Sequence, residues 1–150
     1  MIVKRSAFGY RVTVGRLSEA IERRGLTVFA RINHAAAARG VGLELADEEV
    51  VVFGNPRAGT PLMQSDPQIG IELPLRILVW AGADGVSLGY RDPCELAADY
   101  DVGQHQPTLE QMATLLAELS DELSGPPEGA DRQRNEHDQQ ADEPGEGSQY

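Results

Sequence analysis

Apolar and polar positions alternate with a period of two in some stretches and near 3.6 in others, and the switches mark the elements. Tyr10, Val12 and Val14 alternate with Arg11 and Thr13, which predicts a half-buried strand. Leu17, Ala20 and Ile21 then recur at helical spacing, and Gly25 stands where a left-handed residue would cap that helix. Residues 26–32 are rich in β-formers and predict a second strand, after which Asn33 is placed to cap a short helix through the alanines 35–38. The continuous run Val50, Val51, Val52, Phe53 before Gly54-Asn55-Pro56 predicts a strand buried on both faces. Residues 75–80 and 86–90 flank Ala83-Asp84-Gly85 and predict a hairpin. Asp92-Pro93 offers an N-cap followed by proline at the first helical position, opening a helix to about Tyr100. Thr108 to Gln111 has capping-box spacing, and Leu109, Met112, Leu116, Leu119 and Leu123 follow at three- and four-residue steps, predicting an amphipathic helix over about 108–123.

About five strands and five helices in this order predict an α+β fold. The expected architecture is a two-layer α/β sandwich in which a mixed, mostly antiparallel sheet carries helices mainly on one face. The hairpin excludes an all-parallel sheet. No apolar run approaches the roughly 18 residues a membrane-spanning helix needs, so no membrane partner is expected.

Composition divides the chain into two parts. Residues 125–150 contain no Val, Ile, Leu, Met, Phe or Trp and hold seven acids against Arg132 and Arg134. Such a stretch cannot bury enough apolar surface to offset the entropy of ordering, so it is expected to be a disordered acidic tail behind a single domain over residues 1–124. The chain as a whole carries −11, from 13 basic and 24 acidic residues. Through Leu43 there are eight Lys or Arg and two acids, and from Glu44 to Ser124 three Arg and fifteen acids. The basic residues are scattered along predicted helices and strands, which argues against a nucleic-acid partner. Met1-Ile2-Val3-Lys4-Arg5 lacks an apolar segment behind its charges, and Cys94 is the single cysteine, so a cytoplasmic, reducing compartment is expected.

The segment densest in chemical information is Phe53-Gly54-Asn55-Pro56-Arg57-Ala58-Gly59-Thr60-Pro61-Leu62-Met63-Gln64. Gly54 and Gly59 permit close backbone approach, and Thr60-Pro61 has N-cap and first-helix chemistry. Free N–H groups at that helix start, with Arg57 nearby, would hold a carboxylate or phosphate. The alternative is a plain turn that reverses the chain after a buried strand. No Gly-Lys-Ser/Thr follows, so it is not a P-loop. Met63 and Trp80 are candidates to line an apolar pocket beside the turn. The candidate ligand-binding set is therefore Gly54, Asn55, Arg57, Gly59, Thr60, Met63 and Trp80.

The string from Phe53 to Gln64 resembles the DUF302 family, which has the TT1751-like α/β fold. Gly70-Ile71-Glu72-Leu73-Pro74-Leu75, Val79-Trp80, Tyr90-Arg91-Asp92-Pro93 and residues 29–37 fit the same pattern, so the resemblance covers roughly residues 10–100. It implies a compact two-layer domain and a homodimer, and it implies little chemistry, since the family is one of unknown function. The chain departs from the pattern at Asn33, where such sequences carry Asp before the histidine.

That departure weakens a metal site: an amide beside His34 has little affinity for zinc or iron, and His105 and His137 add no ligand spacing, so no metal is expected. The residues assign no cofactor. Cys94 would sit near the start of the Asp92-capped helix, where the dipole lowers a thiol pKa while Asp92 and Glu95 oppose it. Three functions remain open. The leading one is a small domain that binds an anionic small molecule at the 54–64 turn. The second is an enzyme using His34 and Asp92 for acid–base chemistry in the same cleft. The third is a non-catalytic interaction module.

Overall fold

The computed structural model describes residues 1–125, and the expected acidic tail lies almost wholly outside the described residues. The strands are β1 (Ile2–Arg5), β2 (Thr27–Asn33), β3 (Glu48–Gly54), β4 (Leu75–Gly82) and β5 (Gly85–Tyr90). The helices are α1 (Tyr10–Arg23), α2 (His34–Gly40), α3 (Pro56–Ser65), α4 (Leu96–Asp99) and α5 (Gln106–Leu123). Short 3-10 turns span Pro67–Ile71, Pro93–Glu95 and Gly103–His105.

The five strands form one sheet in the order β1-β5-β4-β3-β2, and every neighbouring pair is antiparallel. The sheet is thus α+β as expected but not mixed. β1 and β2 occupy opposite edges, so α1 carries the chain across the sheet without creating a parallel pair. β1 contributes a strand that the local pattern did not announce, because its two charges and four residues acquire strand character only by pairing with β5.

The expected strand over residues 10–14 is instead the first turn of α1. Tyr10, Val12 and Val14 do alternate, yet Val12 is exposed, and the buried set is Thr13, Val14, Leu17, Ala20 and Ile21, a helical stripe. Thr13 is accommodated in the helix by donating its hydroxyl to the Gly9 carbonyl at 2.9 Å. Gly25 closes the helix with φ +72°, as its position predicts. Two helix starts also move. α3 begins at Pro56 rather than at Pro61, and α5 begins at Gln106, with Pro107 in its first turn, so Thr108 lies inside the helix and caps nothing.

One face of the sheet packs under α1 and α5. Val51, Phe53, Ile77, Val79 and Leu88 point into that layer, where they meet Leu17 and Ile21 of α1 and the whole Leu109, Met112, Leu116, Leu119, Leu123 stripe of α5. β3 is therefore not buried on both faces: Val51 and Phe53 are buried, while Val50 and Val52 on the opposite face are only half-buried.

The core layer ends at a polar cluster. Glu49 is 5% exposed, and Arg31 donates to it from Nε at 2.9 Å and Nη2 at 3.3 Å, while the Tyr10 hydroxyl donates to its Oε2 at 3.1 Å. Burial, reinforced by the bond to the Glu49 carboxylate, pushes the Tyr10 phenol up from 10.0 to about 12. Folding thus favours the neutral phenol. Its contribution to stability is fully present below pH 10.0 and is lost as pH rises toward about 12. Melting temperature against pH should fall across that window. The fall should be shallower in Tyr10→Phe, and a fall of equal steepness in the two proteins would refute the linkage.

Candidate functional site

β3 ends at Gly54, and Asn55 turns the chain into α3. The Asn55 side chain accepts from the Arg57 N–H at 3.0 Å, and its carbonyl accepts from Ala58 and Gly59 at 3.0 and 3.1 Å. Pro56 has no N–H to offer. The first-turn donors of α3 are thus satisfied within the turn, and the expected anion site at Thr60-Pro61 has no helix start behind it: Pro61 lies inside α3. Asn55-Pro56 and Thr60-Pro61 compete for the same cap-and-proline signal, and the better acceptor, with only Pro56 able to follow β3 directly, takes it.

Below this turn lies a cavity of about 340 Å³. The turn and α3 contribute Gly54, Asn55, Gly59, Thr60 and Met63 from the expected set, together with Pro56 and Ala58. Leu26 and Phe29 close it on one side, Leu73, Pro74 and Leu75 on another, and Met112 and Leu115 of α5 from below. Among the described residues, no charged side chain lines it. Phe29 reaches it through an irregularity in β2, where the register with β3 shifts between Val28 and Ala30. A bulge there re-aims the extra side chain, leaving Phe29 half-exposed against Gly54, with its ring carbon 3.8 Å from where a Cβ on Gly54 would stand. Phe29 and Met63 are the exposed apolar residues at this mouth.

Two members of the expected set stand apart. Arg57 is exposed and does not line the cavity, although both its neighbours do, and its guanidinium has no ion-pair partner among the described residues. Trp80 belongs to the other face of the sheet. Its ring lies across Gly89, where an added Cβ would come within 3.0 Å of it.

His34 and Asp92 also fall outside this cavity. Both border a second, shallower groove of about 480 Å³ that runs over the open face of the sheet past Val50, Leu78 and Arg76. The structure therefore separates them from the 54–64 turn, contrary to the shared cleft that the acid–base reading required. His34 opens α2, behind an Asn33 side chain that accepts from the Ala36 N–H at 2.9 Å. Asp92 caps its helix as expected, accepting from the Cys94 N–H at 2.9 Å. Burial first, then the Asp92 carboxylate, pushes the Cys94 thiol up, so the thiolate is disfavoured. Among the described residues, no three His, Cys, Asp or Glu side chains cluster in a way that could hold a metal ion.

The cavity residues that local sequence patterns missed are Leu26, Phe29, Leu73, Pro74, Met112 and Leu115. They come from three separate segments, the start of β2, the approach to β4 and α5, and only the fold brings them together.

Comparison with known proteins bears on the fold and on context. The family model described as "Domain of unknown function DUF302" matches residues 2–119. The crystal structure of an uncharacterized conserved DUF302 protein from Bacillus stearothermophilus superposes with a TM-score of 0.74, covering 81% of this chain and 96% of that one at 17% identity. Two curated relatives are described as fluoride-specific ion channels, FluC 1 of Brucella suis and FluC 2 of Brucella melitensis. Each is 40% identical over 92 residues. That match covers 61% of this chain but only 36% and 34% of those proteins, so the chain spans about a third of the curated relatives it matches. Among the described residues, no helix is long and apolar enough to cross a membrane.

Proposed function

Because the chain belongs to the DUF302 family, whose description records no activity, we propose its function from the cavity itself. We infer a non-catalytic binding domain that takes a small amphiphile: an alkyl body in the cavity under α3, and an anionic head at Arg57 outside it. The observation that carries this reading is a cavity of about 340 Å³ with apolar walls and no charged lining residue, next to an exposed arginine without an ion-pair partner among the described residues. The volume is at the lower end of the roughly 300–1,000 Å³ typical of small-molecule sites. It suits an alkyl chain of medium length, each buried methylene contributing about 0.8 kcal/mol before the costs of association.

The anion thus binds through a side chain rather than through a helix start. Decanoate should raise the melting temperature, and Arg57→Ala should weaken decanoate binding about fivefold to tenfold while leaving binding of the uncharged decanol unchanged. Equal losses for the two ligands would remove Arg57 from the site.

The domain is further proposed to be homodimeric and cytoplasmic, the second supported by a single cysteine in a compartment that keeps thiols reduced. The likeness to fluoride channels supports a role beside membrane transport rather than as a pore. A channel must cross the membrane, and about two thirds of each relative lies outside the match. A single-chain anionic amphiphile is also membrane-derived chemistry, which suits a domain whose curated relatives are described as ion channels.

A further inference from the structure

The face of the sheet turned away from α1 and α5 has an apolar central row. In the central row, Ile32 of β2 pairs with Val50 of β3, Val50 with Leu78 of β4, Leu78 with Gly89 of β5, and Gly89 with Val3 of β1. Val3 and Ile32 are 51% and 47% exposed, and Val50 and Leu78 are half-buried. The α5 stripe, the other apolar surface legible in the chain, is consumed by the molecule's own core. An apolar row that the described residues leave partly uncovered marks a contact site.

The rows on either side carry the charges that identify the occupant. One row holds Glu48 on β3, Trp80 on β4, Ser87 on β5 and Arg5 on β1. The other holds Ala30 on β2, Val52 on β3 and Arg76 on β4. Glu48 has no ion-pair partner among the described residues, and Arg76 is 52% exposed, with Glu72 3.8 Å away.

We propose that this face is the contact between two copies of the chain, which rests on the homodimer reading above and assigns its surface. Sheets stacked face to face lie about 10 Å apart with strands within about 30° of alignment. A two-fold axis running across the strands over the central row superposes the first row of one copy on the second row of its mate. The apolar centre then meets itself. Arg76 of each copy lies over Trp80 of the other, beside Glu48, so every copy gives one cation to an indole face and one ion pair, twice by symmetry. Gly89 serves this arrangement: lacking a side chain, it lets the Trp80 ring lie flat across β5.

Sedimentation equilibrium of the full chain tests the assignment. The wild type should sediment at about twice 16.2 kDa. Leu78→Asp should raise the dimer dissociation constant on the order of 100-fold, with the circular dichroism of the fold retained. Should Leu78→Asp fail to fold, the charge pair decides: Arg76→Glu and Glu48→Arg should each weaken the dimer about tenfold, and the double variant should recover to within about threefold of wild type. A dimer indifferent to all of these overturns the assigned surface while leaving the homodimer intact. A monomeric wild type at tens of micromolar overturns both, whether the face then stays bare or takes another protein.

Discussion

Replacing Phe53 by alanine is expected to lower the free energy of unfolding by about 3–5 kcal/mol, the range for large-to-small changes at buried aromatic positions. Phe53 is fully buried at the end of β3, pairing with Leu75 of β4 and Val28 of β2, so no solvent or mobile segment can collapse into the space it leaves. Domains of this size are stable by only about 5–15 kcal/mol, so the loss would consume a large fraction of the total. The urea midpoint reads it directly, and a loss under about 1 kcal/mol would mean that β3 is not central to the core. The same truncation at Val52, one residue away on the open face, should cost far less in the monomer. That contrast is a parity test of the sheet.

Parity is also where sequence reading and structure part company. The α5 stripe and the 75–90 hairpin were legible because each is a local pattern, a helical period or a turn between β-formers. Tyr10 to Val14 was not, since five residues of alternation are shared by a strand and by a helix whose exposed face carries one valine. Trp80 is the instructive case. It follows Leu75, Ile77 and Val79 in an apolar run, and only the pairing register decides that those three face the helices while Trp80 faces away. At the site, the Gly54–Met63 turn was legible from its glycines and prolines, and five of its expected residues do line one cavity. The anion donors were misplaced because two Xaa-Pro pairs five residues apart carry the same signal. The walls from Leu26, Phe29 and α5 were not legible at all, being assembled by tertiary contact and by an irregularity in β2 that no residue type announces.

Gly59→Leu is expected to abolish amphiphile binding, at least about 100-fold in affinity, without loss of stability. A Cβ at Gly59 would meet the Leu73 Cδ1 at 3.6 Å and the Met63 Cε at 4.0 Å, ordinary van der Waals contacts, and the rest of the leucine would extend along the cavity that these residues line. In a helix interior, glycine is less favourable than a good helix former by up to roughly 1 kcal/mol, so the substitution should hold or raise the melting temperature. Loss of binding together with retained stability separates an occupied cavity from a damaged fold. Retained binding in a well-folded Gly59→Leu protein would remove the ligand from this cavity.

The most direct measurement is titration calorimetry of decanoate into the full-length wild-type chain. The account predicts saturable binding at one site per chain, in the micromolar range, with a negative heat-capacity change from burial of the alkyl chain. Heats no larger than dilution up to millimolar decanoate would contradict it.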